Sequence, residues 1–138
     1  MKTLVVDSSV IVKWLNKTKE QNIEQADKIL TQAREGDTEL FAPELAKYEV
    51  GNVLITKRVS SNDAMISLAT LYSLPITFIT ESEDLSKQTY ILAARLGITY
   101  YDASFMSLAK QQDAVLVTEN IKHQAKSEKI KVTHIKDY

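Results

Sequence analysis

Acidic residues in this chain stand beside apolar segments, where side chains from distant parts of the sequence can meet. Asp7 directly follows the apolar run Leu4-Val5-Val6, and Glu119 follows a late apolar run. Asp102 stands at the start of a predicted helix, and Glu49 lies inside another, beside its apolar stripe. Ligand sites of open parallel sheets lie beyond the carboxyl ends of the strands, so these acids are candidates for one shared site.

Carboxylates that converge without a neutralising lysine or arginine repel one another, and their pKa values rise. A hard divalent cation with oxygen ligands relieves this repulsion, and Mg²⁺ or Mn²⁺ is the natural candidate. Such a cation can bind a phosphodiester and lower the pKa of a bound water. The acidic positions therefore indicate hydrolysis of a nucleic-acid backbone.

Each of these positions also has a simpler interpretation. Asp7 and Asp102 stand where an aspartate can cap a helix. Glu49 alone is typical of a solvated helix residue, and Glu119 with Asn120 is typical of a turn. Spacing alone leaves both interpretations open.

The first half of the chain alternates extended and helical patterns. Residues 4–6 predict a buried strand, and the apolar spacing over 10–15 predicts a helix after it. A second helix is expected to end at Gly36, followed by a strand over 39–42. The next helix is expected from about Pro43 to Arg58, with Pro43 in its first turn.

The second half continues this alternation. Ser60 with Asp63 and Thr80 with Glu83 form capping-box patterns, which predict two helix starts. The other predicted elements are a strand at 76–79, a helix ending at Gly97, an extended link at 98–101, a helix opened by Asp102, a strand at 114–118, a short helix at 121–126 and a strand at 131–135. The alternation favours an α/β fold with a parallel sheet covered on both faces, whereas the strand order does not follow from periodicity.

Composition limits the class of protein. The length suits a single domain over residues 1–138, and 44 % apolar with 25 % charged residues is ordinary for a globular protein. No apolar run approaches the roughly 18 residues of a membrane span, and no cysteine is present. The formal charge of −1 excludes a global basic surface for nucleic acid. We expect a soluble, cytoplasmic domain without a membrane partner.

Motifs in four parts of the chain occur together in the order and spacing of a known family. They are Leu-Val-Val-Asp-Ser-Ser-Val-Ile-Val-Lys-Trp at 4–14, Glu49 followed by Asn52, Tyr101-Asp102-Ala103 at a helix start, and Val115-Leu116-Val117-Thr118 before the last acidic position. In these motifs the chain resembles the PIN-domain ribonucleases, particularly VapC-type toxins. The tyrosine–aspartate–alanine motif is the most specific, and the similarity extends over essentially the whole chain.

The resemblance implies a three-layer α/β/α fold around a parallel sheet and a Mg²⁺- or Mn²⁺-dependent endoribonuclease. Water attack on RNA would leave 5′-phosphate and 3′-hydroxyl ends. Carried over by position, Asp7, Glu49 and Asp102 become the metal-binding catalytic carboxylates. Ser9 matches a residue that orders the first acid, and Asn52 matches one that supports Glu49.

The chain departs from the family at its fourth acidic position. That acid usually stands two residues after the threonine matched by Thr118, and here the position is Asn120. Asn120 can still give the metal one neutral oxygen, and Glu119 just before it is the other candidate. This departure motivates an alternative, a PIN-like module that binds RNA or a partner with little catalysis.

The expected partners follow from the same resemblance. It implies an RNA substrate, a homodimer and a small antitoxin that covers the acidic cleft. Lys13, one turn beyond Ser9 in the first motif, is our best candidate for a contact to a substrate phosphate. Several aromatic residues are expected in the core or an interface rather than as base-stacking platforms: Trp14, Tyr48, Tyr101 and Phe105.

Overall fold

The computed structural model describes residues 1–120 and 129–138. Its strands are β1 (Lys2–Val6), β2 (Thr38–Pro43), β3 (Ile76–Ile79), β4 (Val115–Thr118) and β5 (Val132–His134). They form one parallel sheet in the order β3-β2-β1-β4-β5. The predicted parallel α/β fold is therefore confirmed.

Helices cover both faces of this sheet. They are α1 (Ser8–Leu15), α2 (Ile23–Arg34), α3 (Leu45–Thr56), α4 (Ser61–Ser73), α5 (Glu83–Leu96) and α6 (Tyr100–Gln111), with a terminal 3-10 helix (Ile135–Asp137). α1 contacts α2, α3 and α4, whereas α6 packs on α5 and lies across β1, β2 and β4. Right-handed crossovers explain why the helices lie on opposite faces of the sheet. The chain runs from β1 to β3 on one side and then returns to place β4 on the other side of β1. The result is the three-layer α/β/α arrangement. No helix in the described part of the chain is long and apolar enough to cross a membrane.

The centre of the core is formed by β1 and α1. Leu4, Val5 and Val6 are at most 2 % exposed, because β1 has a strand on each side and a helical layer on each face. α1 is buried over residues 10–13, since β4 and other helices surround it. A helix enclosed in this way is apolar around most of its circumference rather than along one stripe.

The predicted strands agree with the observed ones to within two residues at each end. Ser60 caps α4 as predicted, because its Oγ accepts a hydrogen bond from the Asp63 amide at 3.2 Å. The start of α5 was predicted wrongly from the Thr80–Glu83 pattern. Its cap is Ser82, whose Oγ accepts from the Leu85 amide at 3.1 Å.

Two other boundaries differ from the predictions. Pro43 is the last residue of β2 rather than the first turn of α3, because it continues the pairing with β3 opposite Ile79. The expected extended link over 98–101 is shorter, since α6 already begins at Tyr100. The short helix predicted at 121–126 lies outside the described residues.

Candidate active site

β1 and β4 end side by side at the carboxyl edge of the sheet. The chain leaves β1 toward β2, while β4 lies on the opposite side, so this edge is the topological switch point. Asp7 follows β1 directly, and its amide donates a hydrogen bond to the Val117 carbonyl at 3.0 Å. Ligands of open α/β sheets bind at such switch points. Asp7 therefore stands where this fold favours a site.

Two hydroxyl groups orient the Asp7 carboxylate. Ser9 Oγ donates to Asp7 Oδ2 at 2.7 Å, and Thr118 Oγ1 donates to the same oxygen at 2.9 Å. Each hydroxyl also accepts a backbone N–H, Ser9 from Glu119 at 3.1 Å and Thr118 from Asn120 at 3.0 Å. Those accepted bonds direct the hydroxyl protons toward the carboxylate. Asp7 occupies the N-cap position of α1 without making a side-chain capping bond, so capping does not account for it.

Glu49 reaches this region from α3. Ser8 Oγ, on the first residue of α1, donates to Glu49 Oε1 at 2.9 Å. This bond ties the glutamate to the residue next to Asp7. Asn52, the expected supporting residue, is exposed on α3, and the contact to Glu49 comes from Ser8 instead.

Asp102 lies in the first turn of α6 without serving as its cap. The cap is Thr99, whose Oγ1 accepts a hydrogen bond from the Asp102 amide at 3.0 Å. The prediction that Asp102 opens this helix is therefore wrong by two residues, since α6 begins at Tyr100. Because Thr99 satisfies the helix end, the half-buried Asp102 carboxylate is available for another role.

Burial and mutual repulsion act on these acids together. Desolvation by burial raises the pKa of Asp7 above its ordinary 3.8, the charge of Asp102 adds to the rise, and the hydroxyl donors oppose it. Burial also raises the pKa of Glu49 above 4.5, with further contributions from the charges of Asp7 and Asp102. No lysine or arginine among residues 1–120 and 129–138 forms an ion pair with any of the three. The structure thus brings three mutually repelling carboxylates together.

The donor chemistry of this cluster suits a hard cation. Within the described residues, no group of three or more His, Cys, Asp or Glu side chains is arranged to hold a metal ion. Mg²⁺, however, usually keeps several waters and binds through one or two carboxylates plus substrate phosphates. The residues fit such an open site by their charge and oxygen ligands, and they do not form a closed metal cage.

Lys13 lies in the interior and cannot serve as the expected substrate contact. Its side chain is 0 % exposed and forms ion pairs with Glu20 at 3.0 Å and Glu119 at 2.7 Å. Its Nζ also donates to the Gln21 carbonyl at 2.7 Å. The expectation failed because oxygen atoms from separate segments enclose this lysine and leave no path to a phosphate. A lysine inside the apolar run of α1 was the sequence signal for burial.

The two candidates for the fourth ligand, Glu119 and Asn120, make different contacts after β4. Glu119 is held by Lys13, which neutralises its charge. Asn120 is exposed, and its backbone amide rather than its side chain makes the bond to Thr118. The structure therefore brings together Asp7, Glu49 and Asp102, with Asn120 at the rim.

The predicted roles of the aromatic residues are partly confirmed. Phe105 is 1 % exposed and belongs to the core, and Trp14 Nε1 donates to the Ala26 carbonyl at 2.7 Å. Tyr48 and Tyr101 are 78 % and 60 % exposed, so they lie outside the core, and the expected interface role for them stays a prediction. Both directly precede an acid of the cluster.

Sequence reasoning missed the roles of Ser8, Thr99 and Thr118 in the site. The signal was present, because hydroxyl residues flank the acids at the ends of β1 and β4 and just before Asp102. Short hydroxyl side chains at such positions commonly bond to nearby carboxylates or amides. Their partners depend on which strands lie side by side, and local sequence patterns do not determine that order.

Comparisons with known proteins agree with this fold. The family model of the PIN domain matches residues 4–129. No curated protein matches the chain. Among solved structures, VapBC2 from Rickettsia felis, bound to a DNA fragment from its promoter, is similar with a TM-score of 0.75 at 17 % identity. That match covers 96 % of this chain and 98 % of the other.

Two further solved structures share the fold. PAE2754 from Pyrobaculum aerophilum has a TM-score of 0.71 at 21 % identity, covering 99 % of this chain and 91 % of the other. VapC20 from Mycobacterium tuberculosis, described as a sarcin–ricin loop cleaving toxin, has a TM-score of 0.68 at 14 % identity. The latter match covers 88 % of this chain and 93 % of VapC20. With the family model spanning nearly the whole sequence, the chain belongs to the PIN domain family.

Proposed function

We propose that this chain is a Mg²⁺- or Mn²⁺-dependent endoribonuclease that hydrolyses RNA phosphodiester bonds. The observation that carries the proposal is the cluster of Asp7, Glu49 and Asp102 at the switch point, which no described lysine or arginine neutralises. Membership of the PIN domain family supports a nuclease. The fold shared with a sarcin–ricin loop cleaving toxin supports RNA as the substrate class.

The side chains of the cluster have distinct roles in this proposal. Asp7, Glu49 and Asp102 would hold the cation, which supplies positive charge for a phosphate oxygen and for the charge that develops during cleavage. Ser9 and Ser8 hold Asp7 and Glu49, respectively, in fixed orientations before substrate arrives. Preorganised charges require little rearrangement during reaction, so these serines are positioning residues.

We further propose that the nuclease is the toxin of a toxin–antitoxin pair and forms a homodimer. VapBC complexes from Rickettsia felis and Salmonella typhimurium share its fold, which supports a protein partner. A small antitoxin would inhibit the enzyme by covering the acidic edge of the sheet. A short neighbouring reading frame encoding a DNA-binding protein would identify the partner, and the co-expressed product should then suppress RNA cleavage.

The nuclease proposal is tested with Asp7→Asn and Asp102→Asn, which remove charge with little change in volume. RNA cleavage in Mg²⁺ or Mn²⁺ should fall at least about 100-fold in each variant, since metal-site polarisation contributes on that scale. Asp113→Asn is the matched control, because Asp113 is exposed in a turn at φ 50, a conformation that asparagine tolerates. Near-normal cleavage by both folded site variants would overturn the assignment.

A binding module with little catalysis is the second candidate. Asn120 in place of the usual acid, and Glu119 already paired with Lys13, favour it. Such a module would bind RNA or a partner protein but give no metal-dependent turnover. RNA binding by the wild type without cleavage in either metal would select this candidate.

A further inference from the structure

A small cavity opens beside the acidic cluster, between the starts of α3, α5 and α6. Its volume is about 270 Å³, and its walls include Leu45, Tyr48, Leu85, Tyr100 and Tyr101. Pockets for drug-sized ligands span roughly 300–1,000 Å³, so this one suits a single planar group. The cavity lies within the described part of the chain.

The cavity lies at the same edge of the sheet as the acidic cluster. Tyr48 directly precedes Glu49 on α3, and Tyr101 directly precedes Asp102 on α6. The cavity walls also include the last residues of β2 and β3, and Asp7 follows β1, the strand beside β2, so a group in this cavity lies at the sheet edge where the acids meet. Each helix therefore presents one carboxylate to the cluster and one tyrosine to the cavity.

The chemistry of the walls favours a base rather than a phosphate. Tyr48 and Tyr101 are 78 % and 60 % exposed, which leaves ring surface available for stacking. Glu81 lines the same cavity, and its Oε2 accepts the Tyr100 hydroxyl at 2.7 Å. An ionised carboxylate only accepts hydrogen bonds, so it attracts an amino group and repels a phosphate.

We propose that this cavity binds the unpaired nucleobase next to the scissile phosphodiester, and that it prefers bases with an exocyclic amino group. The base stacks on Tyr48 or Tyr101 while its amino group donates to Glu81. Adenine, guanine and cytosine satisfy this requirement, and uracil does not. The inference rests on the proposed RNA cleavage and adds a specificity-determining pocket to it. An apolar side chain from a protein partner would fill the volume but leave Glu81 unused.

The first experiment measures base binding without metal or cleavage. Adenosine, guanosine, cytidine and uridine are titrated into the protein in EDTA, and backbone amide NMR shifts are followed. The three amino-bearing nucleosides should shift amides around Tyr48, Glu81 and Tyr101, and uridine should bind more weakly. Binding should weaken roughly 5- to 150-fold in Tyr101→Ala or Tyr48→Ala, the range expected for one lost stacking partner.

Matched variants separate stacking from general damage. Tyr101→Phe keeps the ring and should retain binding. Tyr90→Ala removes a tyrosine that is 68 % exposed outside the cavity, and it should bind like the wild type. Glu81→Gln adds an amide donor, so discrimination against uridine should shrink while stacking remains.

The second experiment measures cleavage of short RNAs that differ only in the base beside the cleaved bond. The wild type should favour adenine, guanine or cytosine over uracil in kcat/KM, and Glu81→Gln should narrow that preference. Equal use of the four bases by an active enzyme, or equal nucleoside binding by wild type and Tyr101→Ala, would overturn the pocket. Nucleoside binding without any RNA cleavage would support the pocket and contradict the nuclease. Loss of partner-protein binding in Tyr101→Ala, without nucleoside binding by the wild type, would instead assign the cavity to a protein ligand.

Discussion

Replacing Lys13 by methionine tests whether this lysine stabilises the fold or contacts substrate. The change keeps a side chain of similar length and removes the charge that lies between Glu20 and Glu119. It also leaves the Gln21 carbonyl without the hydrogen bond at 2.7 Å. If Lys13 stabilises the fold, the Lys13→Met variant should be less stable than the wild type. If Lys13 contacts substrate, the variant should bind RNA more weakly at unchanged stability.

The expected loss of stability depends on the contacts that Glu20 and Glu119 keep in the variant. Removing one member of a buried ion pair typically costs about 3–5 kcal/mol. Glu20 keeps its bond to Lys57 at 2.7 Å, and Glu119 is 39 % exposed and can be hydrated, so the loss should lie lower, at about 2–3 kcal/mol. An unfolding entropy of about 2.1 cal/mol/K per residue gives roughly 290 cal/mol/K for 138 residues. The melting temperature should fall by about 7–10 °C.

Thermal and urea denaturation of Lys13→Met and Lys17→Met provide the assay. Lys17 pairs with Asp27 at 3.5 Å on the surface, with side chains 60 % and 48 % exposed, so its loss should cost less than about 1 kcal/mol. A Lys13→Met variant that melts like the wild type but loses RNA binding would refute the structural role. It would restore the substrate contact suggested by the sequence.

Three further predictions concern the acids, a helix cap and assembly. Because the pKa of Glu49 is raised, the folded state holds more protons above about pH 4.5, and its stability falls as pH rises through the folded pKa. Glu49→Gln should therefore raise the melting temperature in EDTA at about pH 7, with the gain shrinking toward pH 4.5. Thr99→Ala should cost about 1 kcal/mol in urea denaturation, whereas Asp102→Asn should not destabilise the metal-free protein. We expect a homodimer because α4 exposes large apolar side chains at Met65, Ile66 and Tyr72. Light scattering at tens of micromolar should show it, and a monomer would contradict the prediction.

β1 and β4 were predictable because each contains a short apolar run that ends at polar residues. The run at 4–6 is buried on both faces, and a run of this kind can be identified from the local sequence alone. The acids that end or flank these runs were predictable for the same reason. The strand order was not, because the side of the sheet to which the chain crosses leaves no periodic pattern in the sequence.

Helix starts were harder to place because several residues can supply the same cap. At α5, Thr80 and Ser82 both precede an acid by a few residues, and the structure uses Ser82. At α6, Thr99 and Asp102 are both good capping residues, and the structure uses Thr99. Local sequence could not decide between them, although the outcome at α6 determines whether a carboxylate is left for the site.

The departure at position 120 changes the charge of the site more than its shape. Asp7 is oriented by Ser9 and Thr118, and those hydroxyls accept N–H groups from the backbone of Glu119 and Asn120. Any residue other than proline supplies such an N–H, so the orientation of Asp7 does not require an acid at position 120. Lys13 meanwhile neutralises Glu119. The cluster therefore keeps the arrangement that the first acid needs and holds three carboxylates that no lysine or arginine in the described part of the chain neutralises.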